Sequence, residues 1–301
     1  MLSYPPVSII CLCHNHAPYV QEALQSAWGQ AWPSLELIVV DDASTDGSVE
    51  VIREWLQDKP EVQFIRLEQN VGNCRAFNQA LARARGAYVI DLAADDVLLP
   101  ERVRVGVEAL EAAGPQWGVH FTDAWYINAQ GKVLKAHYKR DIHGTLRQPV
   151  PQGWVYRQVL ERYFICTPSM MMRRSVLEAL GGYDEQLAYE DFDFWVRSAR
   201  QWQYCYTDQI LVKKRVLPRS WGARQYQAES RQLASTLAVC QKAKTLNRTP
   251  EEDYALGRRL RYELRQAIRH KHRELAKAFF QLKREVWPES WRDWLYARLL
   301  R

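Results

Sequence analysis

Two acidic pairs stand after apolar, strand-like runs in the first hundred residues. Asp41-Asp42 follows Leu35-Glu36-Leu37-Ile38-Val39-Val40, and Asp95-Asp96 comes soon after Ala87-Tyr88-Val89-Ile90-Asp91-Leu92. A third pair, Glu190-Asp191, lies far down the chain. Carboxylates at the C-terminal ends of parallel strands converge on the crevice where open α/β sheets hold ligands. Like charges gathered there repel one another unless a cation or ligand donors offset them. The pattern predicts a site for a metal and a phosphate-bearing ligand, with one carboxylate left for proton transfer.

The elements that must position these residues can be read from periodicity. Strands are predicted at Val7 to Cys13, Leu35 to Val40, Glu61 to Leu67 and Tyr88 to Leu92. Helices are predicted between them, at Pro18 to Trp28, Ser48 to Gln57 and Cys74 to Arg85. Such alternation argues for βαβ units around a mostly parallel sheet. Ser44-Thr45-Asp46-Gly47-Ser48 supplies capping oxygens, and Pro100 with Glu101 opens a helix running to about Ala113. Val119 to Ile127 reads as a strand, and Asn128 to Gly131 as a turn. The polar, aromatic stretch from Lys135 to Gly153 reads as a loop that could move over the site. A short helix is predicted from Ser175 to Leu180, another from Asp191 to Arg200, and a strand from Ile210 to Val216. After Pro218 the pattern turns helical, with an apolar stripe at Leu256, Leu260, Leu264 and Ile268.

Composition narrows the class. The 301 residues, 47% hydrophobic and 25% charged, read as a soluble globular chain with a sizeable core. No apolar run approaches the roughly 20 residues that span a bilayer, and Ser8 to Cys13 is too short for a signal sequence. A cytoplasmic protein is expected, with the inner face of the cytoplasmic membrane as a second location. The six cysteines form no CxxC pair and read as buried apolar residues, with Cys11 and Cys13 aimed to one face. Charge is uneven. Residues 1–218 hold 22 Lys and Arg against 26 Asp and Glu, a net of −4, and residues 219–301 hold 19 against 9, a net of +10. A basic tail of that size points toward an anionic partner. Two regions are therefore predicted: a catalytic domain over 1–218 and a basic amphipathic helical region over 219–301.

The blocks in this order resemble glycosyltransferase family 2, the inverting sugar-nucleotide transferases of the GT-A fold. The resemblance rests on Val7 to His16, on Leu37 to Ser48, on Asn70-Val71-Gly72 with Ala76 and Asn78, on Gly86 through Asp96, and on Gly181 to Glu185 with Glu190 to Trp195. It covers about residues 5–215. The fold it implies is a Rossmann-like nucleotide-binding GT-A domain, here with a C-terminal helical extension.

The resemblance also implies roles. One of Asp41 and Asp42 reads a uracil or thymine ring, with Leu12, Cys13 and Asn15 bordering the base and ribose and Asn70, Asn78 and Ala94 nearby. An Asx turn capping the next helix is the structural alternative for Asp41, Asp42 and Asp46. Asp95 and Asp96 correspond to the end of the family's D-x-D motif and would hold a divalent cation, manganese or magnesium, against the donor's diphosphate. The motif's first Asp is replaced here by Ala93. Asp91, two residues earlier, could substitute for it or serve as a strand core position. Asp191, supported by Glu190, corresponds to the base that takes the acceptor's proton, unless it simply caps the following helix. Where relatives carry a histidine reaching toward the phosphates, this chain has Leu217. Lys214, Arg215 or Arg219 could meet the diphosphate instead. His14 and His16 read as hydrogen-bonding residues, and Met170 to Met172 as ordinary strand packing beneath the donor sugar.

The function implied is a metal-dependent, inverting transfer from a UDP- or dTDP-sugar to a hydroxyl of a saccharide or lipid-linked acceptor, in the setting of bacterial polysaccharide or lipopolysaccharide assembly. Two alternatives compete. A nucleotidyltransferase would call for a glycine- and lysine-rich loop near the N-terminus, which Val7 to Asn15 lacks. A non-catalytic nucleotide-sugar-binding protein is favoured by Ala93 and Leu217. The tail could shape the acceptor site, pair with a second subunit, or rest on an anionic membrane through its Arg/Lys face with Trp287, Trp291 and Trp294. Nucleic acid is not expected, since no recognised binding motif accompanies the charge.

Overall fold

The computed structural model describes residues 4–218, 225–227, 231–287 and 296–298. Arg219, Trp291 and Trp294, singled out above, lie outside the described residues. The chain divides into two compact units. The first takes residues 1–154, 165–185 and 202–217; the second takes 155–164, 186–201 and 218–301. The second unit thus draws two segments from within the first 218 residues.

A nine-stranded sheet organises the first unit, in the order β3-β2-β1-β4-β8-β6-β9-β5, with β7 added beside β6. Its strands are β1 (Val7–Cys13), β2 (Leu35–Asp41), β3 (Gln63–Arg66), β4 (Tyr88–Ala93), β5 (Val97–Leu98), β6 (Trp117–Ile127), β7 (Val133–Ala136), β8 (Met171–Arg173) and β9 (Gln203–Arg215). From β3 to β4 the pairing is parallel. Beyond β4 it is mixed: β8 runs antiparallel to both β4 and β6, while β9 is parallel to β6. β1 is buried along its whole length, as expected of a strand covered on both faces.

Alternation sorts the side chains. Val7, Ile9, Cys11 and Cys13 join one core with Leu37, Val39, Ile90 and Leu92. Against it pack α1 (Val20–Trp28), α2 (Ser48–Trp55) and α4 (Arg102–Ala113), through Leu24, Ile52 and Val107 among others. α3 (Asn73–Leu81) packs on β1 and β2 and buries Phe77, which stacks on Tyr183. The short α6 (Arg174–Leu180) ends on Gly181 in the left-handed conformation, the usual reason for glycine at that place. All six cysteines are free and buried, and burial pushes the Cys13 thiol up to about 11. Neither Cys11 nor Cys13 has the thiolate character a nucleophile needs.

The register matters most for function. Cys13 pairs with Asp41 and Leu12 with Ala93, so β1, β2 and β4 end side by side. The connection after β7 is tied down rather than loose. Arg140 pairs with Leu146 in an antiparallel bridge, and the Asp141 carboxylate accepts from His143 and Thr145 N–H groups, closing a small hairpin. Its anchor is Asp123, fully buried on β6, which accepts two hydrogen bonds from the Arg140 guanidinium at 2.9 and 2.7 Å.

The second unit is helical: α5 (Tyr156–Glu161), α7 (Asp191–Ser198), α8 (Gln232–Leu246), α9 (Pro250–Arg269) and α10 (Arg273–Val286). Thr249 caps α9, Pro250 opens it, and Glu251, Glu252 and Asp253 fill its positive first turn. The predicted stripe is realised, with Leu256, Leu260 and Leu264 fully buried. Trp287 packs edge-on against Tyr254, its centroid 4.6 Å away, so this tryptophan belongs to the unit's packing. Among the described residues, no helix is long and apolar enough to cross a membrane.

Candidate active site

The loops after β1 and β2 brace each other at the strand ends. Asn15 and Ala43 both hold positive φ, 60° and 57°. For Ala43 that conformation is strained, the kind of cost that clusters at ligand sites. Asn15 N–H donates to Ser44 Oγ, and the Asn15 side-chain oxygen accepts from Thr45 N–H at 2.8 Å. Asp46 accepts from Ser48 N–H and from Ala17 N–H, each at 3.0 Å. Burial opposes its ionisation, but the Ser48 hydroxyl and these backbone donors prevail and hold its pKa low.

Asp41 and Asp42, adjacent in sequence, have different surroundings. Asp42 accepts Val71 N–H on one oxygen at 2.7 Å and Gly72 N–H on the other at 2.9 Å. It thereby pins the turn that leads into α3. Asp41 is fully buried; its Oδ1 accepts Ser44 N–H at 3.0 Å, while its Oδ2 has no protein partner. A buried carboxylate oxygen left without a donor is costly and calls for an explanation. The bond from His14 Nδ1 to the Asp42 carbonyl, 2.7 Å, leaves Nε2 to accept from Asn70 and Asn15, each at 3.1 Å. His14 thus works through hydrogen bonds, as its setting in the sequence suggests. The Leu12 and Cys13 carbonyls are taken by Ala94 N–H and Asp42 N–H, so these residues contribute by fixing the crevice floor.

The second acidic pair forms a turn after β4. Asp96 is buried and accepts Arg215 N–H at 2.7 Å. Desolvation first, and then the Asp95 charge, push its carboxyl well above the usual range, against the pull of Lys214 and Arg215. Asp95 is the more open of the two, with its Oδ2 4.0 Å from His16 Nε2. The other His16 nitrogen, Nδ1, is buried without a partner. Arg215 is 4% exposed and already engaged: Nε donates to the Asp95 carbonyl, Nη1 to Asn128 and Ala129 carbonyls, and Nη2 to Glu22 at 2.6 Å. Four donors on protein partners make it the residue that shapes the acidic turn.

Asn78 is likewise engaged. It exchanges hydrogen bonds with the Tyr183 backbone at 2.8 and 2.9 Å and donates to Glu185, latching that segment onto α3. The fit is close enough that a Cβ on Gly182 would meet Asn78 Oδ1 at 2.5 Å. Asp91 is half-buried on the same side of β4 as Ala93 and accepts from Tyr183 Oη at 3.1 Å. Met171 and Met172 are buried in β8, between β4 and β6. Among the described residues, no three His, Cys, Asp or Glu side chains gather to hold a metal by themselves. Asp95 and Asp96 offer hard oxygen ligands and an excess of negative charge, so a divalent ion fits there if a ligand brings the remaining oxygens.

Glu190 and Asp191 belong to the second unit. Glu190 stands at the N-cap position of α7, and Asp191 opens the helix, where the positive end of the dipole favours a carboxylate. Asp191 acts electrostatically on Tyr163 and Tyr189, whose hydroxyls lie 3.0 Å apart. Two residues on, Asp193 has a different fate. It is 1% exposed and ion-paired to Arg197 at 2.6 Å and Lys242 at 2.7 Å, a buried structural carboxylate. Asp123 and its Arg140 partner had no signal in the sequence, because a single acid inside a strand-like run does not announce a partner 17 residues away.

Known proteins bear on this geometry. The sequence profile of Glycosyl transferase family 2 matches residues 8–181, from β1 through α6. TuaG of Bacillus subtilis (strain 168), a putative teichuronic acid biosynthesis glycosyltransferase, is 37% identical over 92 residues, 31% of this chain and 36% of that protein. The match therefore spans about a third of TuaG. S. aureus TarS 1-349, in complex with UDP-GlcNAc, has the same fold, with a TM-score of 0.70 at 17% identity over 92% of this chain and 81% of that one. The mannosyltransferase PcManGT from Pyrobaculum calidifontis, in complex with GDP-Man and Mn2+, gives 0.61 at 19% identity over 99% of this chain and 86% of that one. With its sheet, its strand-end carboxylates and the matched profile, the chain belongs to glycosyltransferase family 2 and is a glycosyltransferase of the GT-A fold.

Proposed function

We propose that the chain transfers a sugar, with inversion, from a uridine or thymidine diphosphate donor to a hydroxyl of a saccharide or lipid-linked acceptor in polysaccharide biosynthesis. The observation that carries the donor reading is the unpartnered Oδ2 of Asp41, buried at the end of β2. A uracil or thymine imide N–H is the donor that this oxygen lacks. Asn15 and the braced loops after β1 and β2 would border the base and ribose, and Asp42 with Asn70 would hold the wall beside them. The name of TuaG, a putative teichuronic acid biosynthesis glycosyltransferase, supports the biosynthetic setting.

Asp95, backed by Asp96, would hold a manganese or magnesium ion, as the Mn2+ in PcManGT supports. When bound, the ion offsets the negative charge growing on the departing diphosphate. Arg215 keeps the turn in place through the Asp95 carbonyl and the Asp96 carboxylate. Lys214, whose charge is felt at Asp96, is the cation we assign to the diphosphate. Asp191, in the first turn of α7, takes the proton from the attacking hydroxyl. Residues 1–218 would form the catalytic domain under this reading, and the basic region after them would serve the acceptor.

The test is release of nucleoside diphosphate from UDP-, dTDP- and GDP-sugars, with Mn2+ and with a chelator. Cation-dependent release from a uridine or thymidine donor is expected. Donor binding without any release would instead identify a nucleotide-sugar-binding protein.

A further inference from the structure

The second unit contains a cavity of about 610 Å3, of the size that holds small ligands, lined by the end of α5, one face of α9 and Tyr226. Its wall is strongly one-signed. Among the described residues, Arg162, Arg258, Arg259, Arg261 and Arg265 face it against one lining carboxylate, Glu161, while Glu263 behind the wall accepts from Arg259 and from Tyr226 Oη, each at 3.2 Å. Arg258 is taken by Glu161 at 2.5 Å. Arg162 and Arg261 have no carboxylate partner among the described residues. Arg258, Arg261 and Arg265 follow one another at helical spacing, where like charges repel. Arginines outnumber carboxylates in this wall, and a hollow of that charge favours an anion.

A second observation points the same way. Arg259 is 3% exposed; it donates to the Leu160 carbonyl at 3.1 Å and to Glu263 at 3.2 Å, yet its Nη2 is buried with no partner. The guanidinium is held rigidly, 4.1 Å over the Tyr163 ring. A fixed, desolvated fork with one free N–H edge is a receptor for an oxyanion. The remaining lining is Gln225 and three aromatic residues, Tyr163, Tyr226 and Tyr262. Tyr226 is fixed by stacking on His270 at 5.3 Å. Flat rings with hydroxyl tips suit a sugar, which has apolar faces and polar edges.

We propose that this cavity binds a phosphate-bearing saccharide, the acceptor of the transfer reaction. This rests on the transferase reading above with Asp191 as base. Behind the cavity wall, the Arg259 guanidinium lies 5.1 Å from the Phe192 ring and Tyr163 stacks edge-on to Phe192 at 5.3 Å, so the lining packs against the helix that carries that residue. Among the described residues, the exposed large apolar side chains of this unit are Tyr254 and Tyr262.

The experiment measures binding of phosphorylated maltotriose and of maltotriose by calorimetry, to the full chain and to its Arg162→Gln/Arg261→Gln variant. The phosphorylated trisaccharide should bind more tightly than the neutral one and weaken at least about tenfold in the variant, as loss of a charged hydrogen bond implies. A Lys pair at the same positions should restore part of the affinity. Equal affinity for both trisaccharides, or no loss in the glutamine variant, overturns the proposal. So does tighter binding of phosphatidylglycerol vesicles or a single-stranded oligonucleotide than of the phosphosaccharide. Slow donor hydrolysis without acceptor, and UDP affinity, should be unchanged in the variant. A wild-type chain that releases no diphosphate from any donor would refute the transferase reading on its own, while the trisaccharide measurement would still judge the cavity.

Discussion

Asp41 and Asp42 offer a contrast that tests the donor site directly. Asp42→Asn replaces a carboxylate that accepts two backbone N–H groups at 2.7 and 2.9 Å. An amide has one acceptor oxygen, so its NH2 would face a backbone donor. One charge-assisted bond becomes neutral and one buried N–H is orphaned, at a combined cost of about 2–4 kcal/mol. Asp41→Asn is different. Its Oδ1 bond to Ser44 N–H can be kept by the amide oxygen, and the charge removed is one that the free protein buries without a full set of donors. Stability should hold or rise. The NH2 would then meet the imide N–H of a bound uracil, so a charged hydrogen bond worth about 1.5–3 kcal/mol is lost, weakening UDP binding by roughly 10- to 150-fold. Thermal melts and titration calorimetry of UDP read both effects. Cytosine lacks the imide proton, so the wild type should favour UDP over CDP and Asp41→Asn should erase the preference. If Asp41→Asn melts early and binds UDP normally, while Asp42→Asn does the reverse, the assignment of the two carboxylates is wrong.

Other expectations follow from the same geometry. Asp191→Asn should lower kcat by about 10²–10⁴ if the residue is the general base, with donor affinity within a factor of two; parallel loss of both in steady-state kinetics and calorimetry would remove it from that role. Arg140→Met strands the buried Asp123 carboxylate and should cost about 3–5 kcal/mol, a melting drop of roughly 6–20 °C. A drop under about 3 °C would mean the pair does not hold the hairpin. His120 is buried beside Arg102, and burial first and that charge second hold its pKa well below the usual value. The unfolded chain takes up a proton near pH ~6.5 that the folded chain refuses, so this contribution is complete above that pH and fades as pH falls below it, by up to about 1.4 kcal/mol per pH unit. Urea denaturation at pH 7.5 and 5.5 should show His120→Gln losing less stability on acidification than wild type, and an identical pH dependence would refute the point.

The acidic residues of the candidate site were legible because they sit where periodicity stops. Asp41 ends a continuous apolar run, Leu37 to Val40, and a parallel strand must deliver its last side chain to the edge of the sheet. The βαβ alternation, the helix starts and the apolar stripe of Leu256, Leu260 and Leu264 are local properties, and local propensity carries them. The acidic front and basic tail were likewise countable. What the tertiary structure decided is which of these groups is available. Arg215 reads as a phosphate ligand until four donors are seen to end on carbonyls and Glu22. Asp42 reads like Asp41 until Val71 and Gly72, some 30 residues on, turn their N–H groups onto it. β8 slots between β4 and β6, and Arg140 finds Asp123, through contacts that no window of sequence contains. A side chain's chemistry is set by its type, but its freedom to react depends on partners that only the folded chain brings within hydrogen-bonding distance.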